Sequence, residues 1–108
     1  MAATDNDWQA AVTALTGLSG MSDEDKETVT DMTWLKIHGT WAVERASLRR
    51  WLAEQLDDAS TIGFITRRMI ADGLISAMGT TTRNHSSVRV HTLNQRRLHE
   101  VYEEFDAN

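Results

Sequence analysis

"ASLRRWLAEQLDDASTIGFITRRMIADGLIS", residues 46–76, holds two helical patterns joined by the polar turn "DDAS" and stopped by Asp72-Gly73. In the first pattern Leu48, Leu52 and Leu56 recur at four-residue steps and form one buried stripe, with Ser47 or Ala46 near the cap and Arg49 and Arg50 pointing away. Asp and Ser side chains hydrogen-bond the backbone locally, so "DDAS" turns the chain and Asp58 or Ser60 caps the second helix. At about 100° per residue, Ile62, Ile65, Thr66 and Met69 fall on the inward face. Ser60, Phe64, Arg67, Arg68 and Ala71 fall on the opposite one. Phe64 is the ambiguous member, because a small rotation of the helix would turn its ring into the core.

Working outward, "WQAAVTALTGL" places Trp8, Val12, Leu15 and Leu18 on one face of an N-terminal helix, with Asp5 or Asp7 as cap and Gly20 as stop. "SDEDKETVTDMTWLKIHG" reads as a second helix, capped by Ser22, with three acids in its first turn, where the helix dipole favours them, and a stop at Gly39. Val29, Met32, Trp34 and Leu35 would face a core, and "TWAVER" is a connector or an early helical turn. After Gly73 the period changes. "LISAMG" and "SVRVHTL" are short and rich in β-formers, and "TTTRNHS" between them contains the turn-former Asn84, which predicts a two-stranded hairpin. Val88 and Val90 alternate there with Arg89 and His91 on a wet face. "LNQRRLHEVYEEF" then spaces Leu98, Val101, Tyr102 and Phe105 as one side of a C-terminal helix.

At 108 residues the chain is one domain with a modest core, for which dimerisation is a natural source of extra stability. Hydrophobic residues make up 41% and charged residues 25%, which sets it apart from disordered and fibrous classes. No apolar run approaches the roughly 18 residues needed to span a bilayer, and "MAATDNDWQAAV" lacks the basic start and apolar stretch of a signal peptide. The expectation is a cytoplasmic protein without membrane attachment. The absence of cysteine removes disulfides, thiol catalysis and thiolate metal ligands together.

The net charge of -5 conceals two opposed segments. Residues 1–31 carry seven acids to one base, whereas residues 44–97 carry nine arginines against five acids. Every base in that middle segment is arginine, whose planar fork suits phosphate and guanine edges. A solvated charged surface is the competing explanation.

Two helices joined by a tight turn and followed by a hairpin with a basic tip have the layout of a winged helix-turn-helix. The expected fold is therefore mainly α with a small β-hairpin, with extra N- and C-terminal helices. A single domain over 1–108 would comprise an N-terminal helix at 1–20, a helical core at 22–76, a hairpin at 74–93 and a C-terminal helix at 94–106. Through "LAEQL" (52–56), "STIGFITRRMIADGLIS" (60–76), Arg83 and "TLNQRRL" (92–98), the chain resembles the MarR-like winged-helix regulators over roughly residues 28–105. That resemblance implies a recognition helix at 60–72, a wing contact at Arg83 and a dimer interface built by the terminal helices.

The expected function is sequence-specific binding of double-stranded DNA by a homodimeric transcription regulator. Its contact residues would be Ser60, Thr61, Phe64, Arg67, Arg68, Arg83, Arg49 and Arg50. A protein-interaction module using Phe64 and the acidic front is the alternative. Each contact has a plainer reading: Arg67 and Arg68 as solubilising charge, Arg49 and Arg50 as ordinary surface, and Phe64 as core. Arg96 and Arg97 begin the last helix at the wrong end for its dipole and need compensation from Glu100 or from a phosphate. The four tryptophans (Trp8, Trp34, Trp41, Trp51) could line a ligand pocket but suit core and dimer interface better. His38, His85, His91 and His99 show no metal-binding spacing. No nucleophile–base pair or glycine-rich phosphate loop is present, so no enzyme, cofactor or metal is expected. Nothing in the residues supports a small-molecule effector, which is left open.

Overall fold

The computed structural model describes residues 4–29 and 32–106. Helix α1 (Asp5–Ser19) and the short α2 (Asp23–Val29) are followed by strands β1 (Trp34–Ile37) and β2 (Thr40–Glu44). Helix α3 (Arg45–Ala53) leads through a tight helical turn (Ala59–Thr61) into α4 (Ile62–Ala71). Strands β3 (Gly79–Arg83) and β4 (Ser86–His91) and helix α5 (Gln95–Asp106) complete the chain. The strands form one antiparallel sheet in the order β1-β2-β4-β3.

This corrects the expected fold class. The described residues form five α-helices with a four-stranded sheet, an α/β domain and not a mainly α protein with one small hairpin. The error lies in residues 22–39. The helix begins as expected, with the Ser22 hydroxyl accepting the Asp25 N–H at 3.2 Å, but α2 ends at Val29. Gly39 does not stop a helix; it closes a hairpin. His38 and Gly39 both adopt left-handed backbone, with φ of 49° and 81°, between the paired residues Ile37 and Thr40. Two positive-φ residues in a two-residue loop match the right-handed twist of the strands they join. Trp34, Ile37, Thr40, Trp41 and Val43 are aromatic or β-branched residues that pack well on a pleated surface. "TWAVE" is accordingly a strand with Ala42 and Val43 wholly buried, not a connector. Of the residues expected to face a core here, Met32 is buried and Trp34 and Leu35 are half-buried. The side chain of Val29 lies outside the described residues.

The second hairpin is present but displaced. "LISAMG" contributes a single bridge, Ile75 to Leu93, while the threonines expected in the loop form β3. The turn shrinks to Asn84 and His85, again both left-handed at φ 51° and 66°, between the paired Arg83 and Ser86. β-Branched threonine favours extended backbone, and a two-residue turn lets all three of them pair across the ladder. His91 is also corrected: it is fully buried, not on a wet face. Its Nδ1 lies 2.8 Å from the Ser76 carbonyl, and burial pushes its pKa below the usual imidazole value. The Ser76 hydrogen bond opposes that shift and the Arg45 charge adds to it.

The helical faces follow the sequence periodicity. Trp8, Val12, Leu15 and Leu18 of α1 are buried, as are Leu48 and Leu52 of α3 and Leu98 and Val101 of α5; Leu56, Tyr102 and Phe105 pack around them half-buried. Helices α1 and α5 pack on each other beside the core. The cap of α1 is Thr4, whose Oγ1 accepts the Asp7 N–H at 3.2 Å, and not Asp5 or Asp7. Asp7 is only 2% exposed. Its carboxylate accepts the backbone N–H of Asp57 at 2.8 Å and of Asp58 at 3.2 Å, which fastens α1 to the turn between α3 and α4.

Candidate nucleic-acid interface

The orientation of α4 follows from its buried side. Ile65, Thr66 and Met69 are at most 1% exposed, and Ile62 packs half-buried against the same core. Phe64, Arg67, Arg68 and Ala71 are consequently held in solvent. Gly73, at φ 76°, ends the helix: its N–H is donated to the Ile70 carbonyl and that of Leu74 to the Met69 carbonyl, which sends Leu74 into the core. The rotation is thus pinned at both ends, and Phe64 points outward with 41% exposure. The Arg67 guanidinium lies over its ring, 4.9 Å from the centroid.

The two adjacent arginines part company. Arg68 lies over the indole of Trp8 on α1, 4.0 Å from the ring centroid, and its Nε is 3.8 Å from Asp72. It is occupied within the fold, while Arg67 stands with Phe64. Ser60 and Thr61 separate as well. Asp58 caps the turn by accepting from the Ser60 N–H at 3.1 Å and from its hydroxyl at 2.6 Å, with Ser60 exposed. Thr61 is 2% exposed and donates its hydroxyl to the Asp58 carbonyl at 2.8 Å. Thr61 is therefore removed from the contact surface, because the tight turn preceding α4 rotates it into the core.

Arg50 is exposed on α3, and Arg83 is exposed at the end of β3, next to the hairpin turn. Arg49 does not point freely away. It is half-buried, with its Nε closed off from solvent and without an acceptor. Its guanidinium reaches the first turn of α4, 3.8 Å from where a Cβ on Gly63 would stand. Arg49 also lines a cleft of about 390 Å³ between the start of α3 and β4, together with Arg45 and Arg89. Neither Arg45 nor Arg89 belongs to the expected contact set. Arg89 was readable from its alternation with Val88 and Val90, but Arg45 was hidden by taking residues 40–45 as a connector.

Ion pairing sorts the arginines further. Arg96 and Arg97 both meet Glu100, at 3.4 and 3.2 Å, and Arg97 also donates from Nε to the Asp72 carbonyl at 3.0 Å. Glu100 is thus the compensation for these two, and no phosphate is required there. Arg45, Arg49, Arg50, Arg67, Arg83 and Arg89 make no ion pair among the described residues. Trp8 is core, Trp34 and Trp51 pack half-buried against it, and Trp41 is half-buried with Lys36 5.7 Å from its ring centroid.

No protein-family model, curated protein or solved structure matches the chain. Among the described residues no group of three or more His, Asp or Glu side chains could hold a metal ion, and no helix is long and apolar enough to cross a membrane. What stands out is the set of arginines without an ion pair among the described residues, on α3 (Arg45, Arg49, Arg50), on α4 (Arg67) and on the β3–β4 hairpin (Arg83, Arg89), in a protein of net charge -5.

Proposed function

We propose that the protein is a cytoplasmic transcription regulator that binds double-stranded DNA as a homodimer, in the manner of the MarR-like regulators it resembles. The carrying observation is the pairing of exposed Phe64 with Arg67 on the outward face of α4, in a chain whose β3–β4 hairpin carries exposed Arg83 next to its turn. An α-helix fits the major groove, where arginine reads guanine and an apolar ring can meet a thymine methyl. Arg83 at the hairpin tip suits an adjacent minor groove or backbone phosphate. A two-fold dimer would set two copies of α4 about 34 Å apart on a pseudo-palindromic site.

Titration of the purified chain against fragments of its own genome, read by fluorescence anisotropy, tests this proposal. Sequence preference and a steep fall in affinity with added salt are expected. Absence of binding to every fragment at low salt would remove the proposal. A protein partner is the second reading, favoured by the 41% exposure of Phe64. It requires a stable co-purifying partner that is lost on Phe64→Ala, with no DNA binding.

A further inference from the structure

The cleft between the start of α3 and β4 draws three arginines from two elements into one place: Arg45 and Arg49 from the first turns of α3, and Arg89 from β4. Only Glu44 opposes them in the lining, and it makes no ion pair with any of them. Converging like charges repel, and a buried donor without an acceptor carries a desolvation cost, which is the condition of the Arg49 Nε–H. The start of α3 adds to the same field. Its cap residue, Glu44, makes no side-chain hydrogen bond to the helix, and the first turn after it contains no further acid at the positive end of the dipole.

We propose that this cleft binds a phosphate group, with Arg45, Arg49 and Arg89 supplying forked donors and the Ser87 hydroxyl a further one. An anion that draws the Arg49 guanidinium toward the cleft gives its Nε–H the acceptor it lacks and neutralises the repulsion among the three charges. Because that guanidinium also lies beside Gly63 in the first turn of α4, and β4 runs back from the hairpin tip, a phosphate seated here links the helix and the hairpin. As a DNA phosphodiester it fixes the register of α4 on the duplex, and in that form the inference rests on the DNA-binding reading. A free phosphate or pyrophosphate is the other source of the same chemistry.

The two sources are separated by following the arginine side-chain N–H resonances of the isotope-labelled full chain during titration with sodium pyrophosphate and, separately, with a random-sequence duplex. The same duplex is titrated by anisotropy over a range of salt. The variants are Arg89→Gln, at an exposed strand position that leaves the core untouched, and Arg45→Gln/Arg89→Gln. The expected result is a shift of the Arg49 and Arg89 resonances with at least one probe. The double variant should lose that shift, and its salt slope for duplex binding should fall by about 2 with unchanged preference among sequences. A shift with pyrophosphate and no duplex binding keeps the cleft as a free-phosphate site while removing the DNA reading. Duplex binding with an unaltered slope in the double variant, and no shift with pyrophosphate, overturns the phosphate cleft and leaves the DNA reading standing.

Discussion

The carboxylate of Asp7, near the start of the chain, accepts the backbone N–H of Asp57 at 2.8 Å, fifty residues away in the turn between α3 and α4. The second carboxylate oxygen takes the N–H of Asp58 at 3.2 Å, so one buried acid holds two donors of the turn that aims α4. Asp7→Ala leaves both donors without an acceptor and is expected to cost about 1–3 kcal/mol, read as a lower urea midpoint at unchanged slope. A midpoint equal to that of the parent would show that the turn holds itself.

Arg68 is expected to act on stability and not on DNA preference. Its cation–π contact with Trp8 and its pairing with Asp72 occupy it on the side of α4 that meets α1. Arg68→Ala should lose about 0.5–1 kcal/mol of stability and keep the ranking of DNA sites. A relaxed sequence preference would place Arg68 at the bases after all.

His91 makes stability fall on mild acidification. Its folded pKa is depressed below 6.5, chiefly by burial, so below that pH the unfolded chain takes up a proton that the folded chain refuses. Stability is therefore fully present above about pH 6.5 and declines as pH drops toward the depressed folded value, by at most about 1.4 kcal/mol per pH unit. Asparagine can still donate toward the Ser76 carbonyl, so His91→Asn should fold and show a flatter profile between about pH 6.5 and 5.5. Parallel melting profiles for the two proteins across that range would refute the assignment to His91.

Helices α1, α3, α4 and α5 were legible in the sequence because their inward faces are periodic. The spacing of Leu48 and Leu52, and of Ile65 and Met69, fixed both core sides of the helix pair and put Phe64 and Arg67 outside. The first hairpin was missed because the acids after Ser22 advertise a helix and Gly39 resembles a helix stop. Its actual signal was the dipeptide His38-Gly39 between two aromatic, β-branched runs. Thr61 and His91 were misplaced for a different reason. Each is a polar residue whose burial is satisfied by a carbonyl, of Asp58 and Ser76 respectively, and helix or strand periodicity carries no trace of such a partner. Arg45 and Arg89 meet only because β4 lies beside β2 in the sheet, a tertiary relationship outside local spacing.

The most direct test of the central claim compares Arg67→Ala and Arg83→Ala with the parent protein in anisotropy titrations against a preferred genomic fragment and a scrambled duplex of equal length. Arg67→Ala should lose about 1–3 kcal/mol on the preferred fragment and little on the scrambled one, relaxing sequence preference. Arg83→Ala should weaken both alike and lower the salt slope by about 1. Equal losses from the two substitutions on both duplexes, or no binding by the parent protein, would contradict the account.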